Sequence, residues 1–310
     1  MKIVERCYPE IQVHTQVSGR HSTVHPPLAQ LPEDLRKLVL PEVGGWEWGY
    51  DWDQIELRIV ASEAHDRPLI DAFERGYDVH TLSACEIFRL QPPPNPVDPF
   101  NLADDATARW ADRIDWHGKK DMRRTFAKRF VYRLLYGARP DTCTDIPGVV
   151  HLGLDIRGLV QASENWLNAH PAVRAFQRCC AVHAAKRGTI YTFCGRRRTL
   201  IETGEEAARQ AMNHPMQGGC MDIYEDVLYD IATQHVGSLQ FRWGMHDSHK
   251  WDVLGGAPTD PTIHAHLVGA AQLATRSRTI SGRLTAFPAT FYIADDTGRE
   301  YAWKPMTCLT

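Results

Sequence analysis

The most constraining feature of this sequence is the segment Gly49–Val60, in which a strand pattern changes into a helix pattern at an acidic residue. Before the change, Trp46 to Tyr50 alternates large aromatic with small or polar residues, the period of two that is typical of a half-buried strand. After it, apolar residues recur at spacings of three and four, which predicts a helix that reaches about His65. Asp51 is therefore expected at the strand end, outside the hydrogen-bonded ladder.

Composition is that of an ordinary globular protein. The 310 residues are 43% hydrophobic and 24% charged, which allows one large domain or two medium ones. The apolar runs are too short to span a bilayer and the charged start lacks a signal-peptide core, so the sequence predicts a cytoplasmic protein with no membrane partner. Eight cysteines occur without a C-x-x-C pair, which predicts free thiols rather than a zinc ribbon or a disulfide framework.

Positive charge is unevenly distributed along the chain. The net charge of −3 argues against a protein that coats nucleic acid by bulk electrostatics. Nevertheless, basic residues cluster at 119–139 and again at 186–198. Such clusters suit an anionic ligand, and solvated helix faces are the alternative explanation.

The first basic cluster contains a strong helix pattern. Residues 123–137 are free of proline and end in Gly137, which predicts a helix with a glycine C-cap. Four residues at intervals of four form a slowly winding stripe on this helix: Arg124, Lys128, Tyr132 and Tyr136. Two cations followed by two aromatic residues suit a triphosphate at one end and a sugar and base at the other. The alternative is a helix with core aromatics and solvated cations.

Several segments resemble, in the same order, the motifs of family A DNA polymerases, the DNA polymerase I group. Asp51 begins DWDQIELR, which is similar to the first catalytic motif DYSQIELR. The helix beginning at Arg124 fits RxxxKxxxFxxxYG of the mobile fingers helix, with Tyr132 in place of phenylalanine. His246-Asp247-Ser248, between two predicted strands, is similar to the third motif VHDE, with serine in place of glutamate. The resemblance extends from about residue 11 to about residue 255.

The resemblance implies an α+β fold, with a right-hand polymerase palm (an antiparallel sheet with helices) and mainly helical fingers. It implies palm segments at 1–65 and 206–310 and fingers at 66–205. Neither a thumb nor an exonuclease domain is expected in this chain. Whether a second protein supplies the thumb or a processivity function stays open.

The implied activity is template-directed addition of deoxynucleotides to a primer 3′ end by two-metal phosphoryl transfer. The expected partners are primer-template DNA and deoxynucleoside triphosphates. Two Mg²⁺ ions about 3.5–4 Å apart would be held by Asp51, the carbonyl of Trp52 and Asp247. Lys128 would be a further catalytic residue that protonates the pyrophosphate. The implied nucleotide-binding residues are Gln54, Glu56, His80, Arg124, Lys128, Tyr132 and Tyr136, and the implied DNA-binding residues are Arg20, Arg209, Asn213, Gln217 and His246.

Some of these residues carry a more specific expectation. Glu56 would crowd a 2′ hydroxyl and so select deoxynucleotides. His80 follows Asp78, a predicted helix cap, and a packed helix-start histidine is the alternative to a nucleotide ligand. Three residues at intervals of four in RQAMNHPMQG are expected on one helix that, in the family, lies along the DNA minor groove: Arg209, Asn213 and Gln217. Residues 91–118 show no periodicity and are predicted to form a loop.

Two other functions stay open at this point. Single-subunit RNA polymerases share the palm and carry HDS in the third motif, as at Asp247 and Ser248 here, but the QIELR run with Glu56 favours a DNA polymerase. The other function is that of a catalytically silent nucleic-acid-binding relative. The presence of both aspartates together with Arg124 and Lys128 argues against it.

Overall fold

A computed structural model of the chain describes residues 10–12, 21–25, 27–32, 35, 38–92, 122–245 and 247–304. The chain divides into two compact units, one formed by Met1–Glu56 with Gln217–Thr310 and the other by Leu57–Met216. The predictions for Arg20, for His246 and for residues 93–118 lie outside the described residues. In the described ranges, no helix is long and apolar enough to cross a bilayer.

The described elements are named here in chain order. The helices are α1 (Ile55–Glu63), α2 (Arg67–Glu74), α3 (Val79–Phe88), α4 (Met122–Leu135), α5 (Ile156–Ala169), α6 (Pro171–Arg187), α7 (Gly204–Asn213), α8 (Gly219–Gln234) and α9 (Pro261–Ala274). The strands are β1 (Glu10–Gln12), β2 (Ser22–Val24), β3 (Trp46–Trp52), β4 (Thr189–Tyr191), β5 (Arg197–Thr199), β6 (Leu239–Met245), β7 (Ser248–Val253), β8 (Arg278–Ile280), β9 (Arg283–Thr285), β10 (Ala289–Asp295) and β11 (Glu300–Trp303).

A five-stranded antiparallel sheet in the order β11-β10-β3-β7-β6 forms the centre of the first unit. Every second residue of β3 faces the core, because side chains alternate across a strand, and Trp48, Tyr50 and Trp52 are fully buried there. The indole Nε1 of Trp52 donates to the carbonyl of Ala274 at the end of α9, at 2.8 Å. The sheet with its helices confirms the predicted α+β class.

The strand-to-helix change occurs where the sequence predicts it, with one correction. Strand β3 continues to Trp52, and Asp51 pairs with Ser248 of β7 and Thr290 of β10. The prediction that Asp51 lies outside the ladder is therefore wrong, because two neighbouring strands extend the pairing past the point where the β3 pattern alone ends. Helix α1 begins at Ile55, after a two-residue turn.

The second unit is mainly helical. Phe126 and Phe130 of α4 are fully buried and stack at 5.0 Å between ring centroids. The indole Nε1 of Trp166 on α5 donates to the hydroxyl of Ser83 on α3 at 3.1 Å. Helix α4 ends at Leu135, and Gly137 adopts the left-handed conformation that the sequence predicts for its C-cap.

The sequence predicts Arg209, Asn213 and Gln217 on one helix, whereas α7 ends at Asn213, before Gln217. Residues His214–Gly218, between α7 and α8, form a π-helical turn. Pro215 lies in this turn and cannot donate a backbone hydrogen bond, which disfavours a regular α-helix there. Gln217 therefore does not continue the α-helical stripe of Arg209 and Asn213.

Candidate active site

Two aspartates lie at one end of the central sheet, Asp51 on β3 and Asp247 in the turn that precedes β7. Asp51 is exposed and pairs directly with Ser248, the first residue of β7, and Asp247 immediately precedes Ser248. The backbone N–H of Trp52 donates to the carbonyl of Asp247 at 2.9 Å, which locks the β3 end to the β6–β7 turn. This hydrogen bond and the Asp51–Ser248 pair place the backbones of Asp51 and Asp247 next to each other at this end of the sheet.

The turn between β3 and α1 carries backbone strain. Gln54 has a φ of 58°, the left-handed conformation that non-glycine residues rarely adopt. Its side-chain Oε1 is buried, without a hydrogen-bond partner among the described residues. The next helix places Glu56 in its first turn, where that side chain is 9% exposed. Gln54 and Glu56 thus follow the Asp51 strand end on a tightly constrained turn.

The face of the sheet that carries Asp51 also holds a charge network. Glu47 is only 3% exposed and accepts hydrogen bonds from Arg242 Nη1 at 2.6 Å and from Lys250 Nζ at 2.8 Å. Lys250 Nζ also lies 5.3 Å and 5.0 Å from the ring centroids of Trp243 and Tyr292. A cavity of about 200 Å³ on this face is lined by residues that include Glu47, Asp51, Ser248, Lys250 and Tyr292.

The opposite face supports the Asp51 strand end with a neutral polar pair. The Tyr50 hydroxyl and His249 Nδ1 are 2.6 Å apart in the core and share a hydrogen bond. Burial raises the pKa of Tyr50 and lowers the pKa of His249 well below its ordinary value. The Tyr224 ring packs edge-on against His249 at 4.0 Å. Tyr50 and His249 therefore stay uncharged, and their hydrogen bond joins β3 to β7 next to Asp51 without adding a charge.

In the second unit, the four-residue stripe predicted for α4 is present. Lys128 is exposed, and Arg124, Tyr132 and Tyr136 are half-buried. The rings of Tyr132 and Tyr136 lie 6.1 Å apart, although Tyr136 already follows the last helical residue. Along the stripe, two cations are therefore followed by two aromatic rings, in the predicted order.

Arg124 is held in a bidentate ion pair by Asp78. Its Nε and Nη2 donate to the two carboxylate oxygens at 2.7 and 2.9 Å. Asp78 is also the N-cap of α3 and accepts from the backbone N–H of Thr81 at 3.1 Å. Burial raises the pKa of Asp78, but the hydrogen bond and charge of Arg124 outweigh it, so the pKa lies below its ordinary value. The first turn of α4 is thereby fixed to the start of α3.

His80 lies beside this ion pair and is only 2% exposed. Neither ring nitrogen has a hydrogen-bond partner within the described residues. Burial lowers the pKa of His80 to about 3. The negative charge of Asp78 opposes this shift, and the positive charges of Arg124 and Lys128 add to it. The ring lies 5.9 Å from that of Tyr132. A neutral imidazole with two unsatisfied nitrogens can bind a ligand hydroxyl or phosphate oxygen, and buried polar groups without partners are rare.

The predicted DNA-binding residues after α6 differ in their surroundings. Arg209 is exposed on α7 and forms an ion pair with Glu206. Asn213, at the end of α7, is half-buried, and its Oδ1 has no hydrogen-bond partner among the described residues. Gln217 is half-buried in the π-helical turn.

The donor set around Asp51 suits magnesium. Mg²⁺ takes oxygen ligands and is usually bound through one or two carboxylates together with substrate phosphates. Asp51 and Asp247 provide two carboxylates, and the strand end provides the carbonyl of Trp52. No group of three or more metal-ligating side chains occurs in the ranges that the structure describes.

The sequence profile of DNA polymerase family A matches residues 2–248. The chain belongs to DNA polymerase family A. DNA polymerase I of Geobacillus stearothermophilus is 28% identical over 243 residues, an alignment that covers 72% of this chain and 24% of that protein. The thermostable DNA polymerase I of Thermus thermophilus is 29% identical over 219 residues and is similarly covered, at 66% and 23%. The chain thus spans about a quarter of the length of these family A relatives.

A solved structure shares the fold. The polymerase domain of Pol1 from M. smegmatis, in complex with DNA primer-template and dNTP, aligns with a TM-score of 0.72 and 19% identity. The alignment covers 94% of this chain and 48% of that one. This likeness confirms the predicted polymerase-type α+β architecture for the family A chain.

Sequence reasoning missed several partners of the candidate residues. Asp78 was expected only as a helix cap, and its pairing with Arg124 joins residues 46 positions apart. Glu47 lies between Trp46 and Trp48 in β3, and an acidic residue between two tryptophans was the available signal for a buried charge network. Its partner Arg242 follows from no local pattern.

Proposed function

We infer that this chain is a template-directed DNA polymerase that adds deoxynucleotides to a primer 3′ end. The observation that carries the proposal is the placement of Asp51 at the end of β3 and of Asp247 in the adjoining turn before β7, in a chain of family A. The family A relatives are named as DNA polymerases, and the M. smegmatis structure contains primer-template and dNTP, which supports the same substrates here.

Asp51, Asp247 and the carbonyl of Trp52 are the residues that would hold two magnesium ions. Bound magnesium would supply the Lewis-acid chemistry that activates the primer hydroxyl and neutralises the leaving pyrophosphate. In the reaction, the primer 3′ hydroxyl loses its proton to solvent water, and its oxygen forms a bond to the α-phosphorus while the bond from that phosphorus to the bridging oxygen breaks. Lys128 donates a proton to the departing pyrophosphate.

The α4 stripe binds the nucleotide in this proposal. Arg124 and Lys128 neutralise the phosphates, and the bidentate hold of Asp78 orients the Arg124 guanidinium before the nucleotide arrives. His80 donates a hydrogen bond to the nucleotide from the N–H of its neutral ring, whose nitrogens have no partner among the described residues. Tyr132 contacts the sugar, as does Gln54.

Other residues select the substrate. Tyr136 guards the templating position. Glu56, whose side chain is buried in the first turn of α1, excludes a 2′ hydroxyl. Arg209, Asn213 and Gln217 bind the DNA, together with Arg20 and His246. The palm assignment of residues 1–65 and 206–310 and the fingers assignment of 66–205 belong to the same proposal.

Primer extension tests the function directly. The wild-type chain is incubated with a labelled primer-template and Mg²⁺, with deoxynucleotides in one arm and ribonucleotides in the other. We expect extension with deoxynucleotides, and its loss in Asp51→Ala and Asp247→Ala, because each change removes a metal ligand and no core packing. Asp226→Ala is the control, since this exposed aspartate of the same unit pairs in the described structure with the exposed Arg276 and the half-buried Arg278.

Three outcomes would contradict the assignment. Extension by either aspartate variant at the wild-type rate would show that the carboxylates are not catalytic. Preferred use of ribonucleotides would favour an RNA polymerase. The wild-type protein could also be folded by far-UV circular dichroism and bind primer-template without extending it. That result would identify a catalytically silent relative.

A further inference from the structure

The segment from Pro171 to Ile201 is unusual in its charge. It contains α6, β4 and β5 and carries seven Arg or Lys residues with no Asp or Glu. The whole chain has 35 basic and 38 acidic residues, so a strongly positive segment lies within a slightly negative protein. Large single-sign regions attract ligands of the opposite charge.

Three of these seven cations border one depression on α6. A shallow depression of about 400 Å³ is lined entirely by this helix, through Arg178, Cys179, Val182, His183, Lys186 and Arg187. Arg178, Lys186 and Arg187 are exposed, and none of them has a carboxylate partner in the part of the chain that the structure describes. By contrast, Arg174 pairs with Glu164 at 2.8 Å. Eight residues separate Arg178 from Lys186, which is about 12 Å along the helix axis.

Aromatic rings continue this surface. Tyr191 of β4 is 46% exposed, and its ring meets that of His183 edge-on at 6.5 Å. Arg197 of β5 is exposed and directly opposite Tyr191 in the strand pair, so the two side chains share a face. We call Arg178, Lys186, Arg187 and Arg197, with Tyr191, the basic face.

Exposed cations beside an exposed aromatic ring fit single-stranded nucleic acid. Proteins bind such strands by tracking the phosphates with basic side chains while bases stack on aromatic rings. Duplex DNA keeps its bases stacked inside the helix and offers no base to Tyr191. An acidic peptide would satisfy the cations but would leave Tyr191 without a planar partner. The single strand therefore uses both features of the surface.

We propose that the basic face binds single-stranded nucleic acid. The identity of the strand rests on the proposed polymerase function: a primer-template has one single-stranded part, the unpaired template, and that strand is the ligand. This site shares no residue with the α4 stripe or with the residues around Asp51. Its cations hold template phosphates and Tyr191 stacks on a template base.

Salt-dependent binding tests the proposal. The affinity of the full chain for a fluorescent oligo-dT is measured between 50 and 200 mM salt. Each phosphate contact contributes about 0.7 to the slope of log affinity against log salt for a single strand, so Arg178→Gln, Lys186→Gln and Arg187→Gln together should reduce the slope by about 2. The control combines Arg67→Gln, Arg75→Gln and Arg157→Gln, which removes the same charge from exposed residues of the same unit.

Tyr191 provides an independent measurement. Tyr191→Ala should weaken oligo-dT binding by roughly 5- to 150-fold with an unchanged salt slope, because base stacking and not charge is lost. Tyr191→Phe keeps the ring and should bind as the wild type does. Three results would each overturn the proposal. The two triple variants could show equal salt slopes, or Tyr191→Ala could have no effect. The basic-face triple variant could also lose poly-glutamate binding to the same extent as oligo-dT binding.

The extension assay separates this site from the catalytic assignment. Templates with one unpaired nucleotide and with twenty are compared. The basic-face triple variant should extend the short overhang normally and show a raised KM for the long one. A raised KM on both templates would overturn the assignment to the unpaired strand. If the wild type binds oligo-dT through this face but extends neither substrate, only the polymerase function fails.

Discussion

His170 joins three helices of the second unit through charge. It lies between α5 and α6 and is only 2% exposed. Its Nδ1 and Nε2 lie 2.9 Å from Asp66 and 3.0 Å from Glu86, so a doubly protonated ring donates to both carboxylates. Burial by itself lowers the pKa of His170, but the hydrogen bonds and charges of the two acids outweigh it and raise the pKa to about 9.

This shift predicts a pH-dependent stability. A histidine pKa raised from 6.5 to about 9 stabilises the folded chain by about 3 kcal/mol. Because the folded pKa is the higher one, the contribution is complete below pH 6.5 and is lost as the pH rises through 9. His170→Gln should remove it, since a neutral amide cannot replace a charge-assisted donor to both acids.

Denaturant unfolding followed by circular dichroism, at pH values from 6 to 10, measures the effect. We expect the difference in unfolding free energy between wild type and His170→Gln to be largest at pH 6 and to fall by about 3 kcal/mol at pH 10. His151→Gln, a change at an exposed histidine of the same unit, controls for the substitution itself. A difference that stays constant across this range would show that His170 is neutral and that the reasoning is wrong.

Three further predictions concern the candidate site. Glu56→Ala should raise ribonucleotide incorporation in the extension assay, whereas a loss of about 1 kcal/mol in unfolding free energy with unchanged sugar selectivity would indicate a purely structural helix-start residue. Asp78→Asn keeps an N-cap acceptor but releases Arg124, so the KM for nucleotide should rise about tenfold with a smaller change in kcat; an unchanged KM would refute the orienting role. Gly49→Ala should destabilise the chain by about 1–3 kcal/mol because a Cβ would overlap the Tyr292 ring, and a double variant with Tyr292→Ala should cost less than the sum of the two single changes; strict additivity would contradict this contact.

Local signals predicted most of the fold. Helix α4 and its glycine cap follow from a proline-free periodic run, and the β6–β7 hairpin follows from two short strand patterns around Asp247. The change at Pro215 was less predictable, because intervals of four in a sequence do not distinguish a regular helix from one interrupted by a π-helical turn. The extension of the β3 ladder past Asp51 depends on β10, a strand more than 230 residues later.

In the candidate site, as in the fold, local features were predictable and long-range contacts were not. The residue types at Asp51, Arg124 and Lys128 were evident, since each stands at a position set by its own local element. Their partners were not, because the Asp78–Arg124 ion pair and the Asp66–His170–Glu86 cluster join helices that only tertiary packing brings together. Long-range polar contacts carry no periodic signal in one sequence.

The Glu47 network limits how this protein can diverge. Glu47 is buried between Arg242 and Lys250, and its loss would remove the buried partner of both cations. Breaking a buried ion pair in this way costs about 3–5 kcal/mol, whereas exchange of all members for apolar residues is often neutral. The three positions are therefore expected to change as a set in descendants of this sequence. Lineages that carry only one or two of these charges should be rare, and the network should be inherited as a unit.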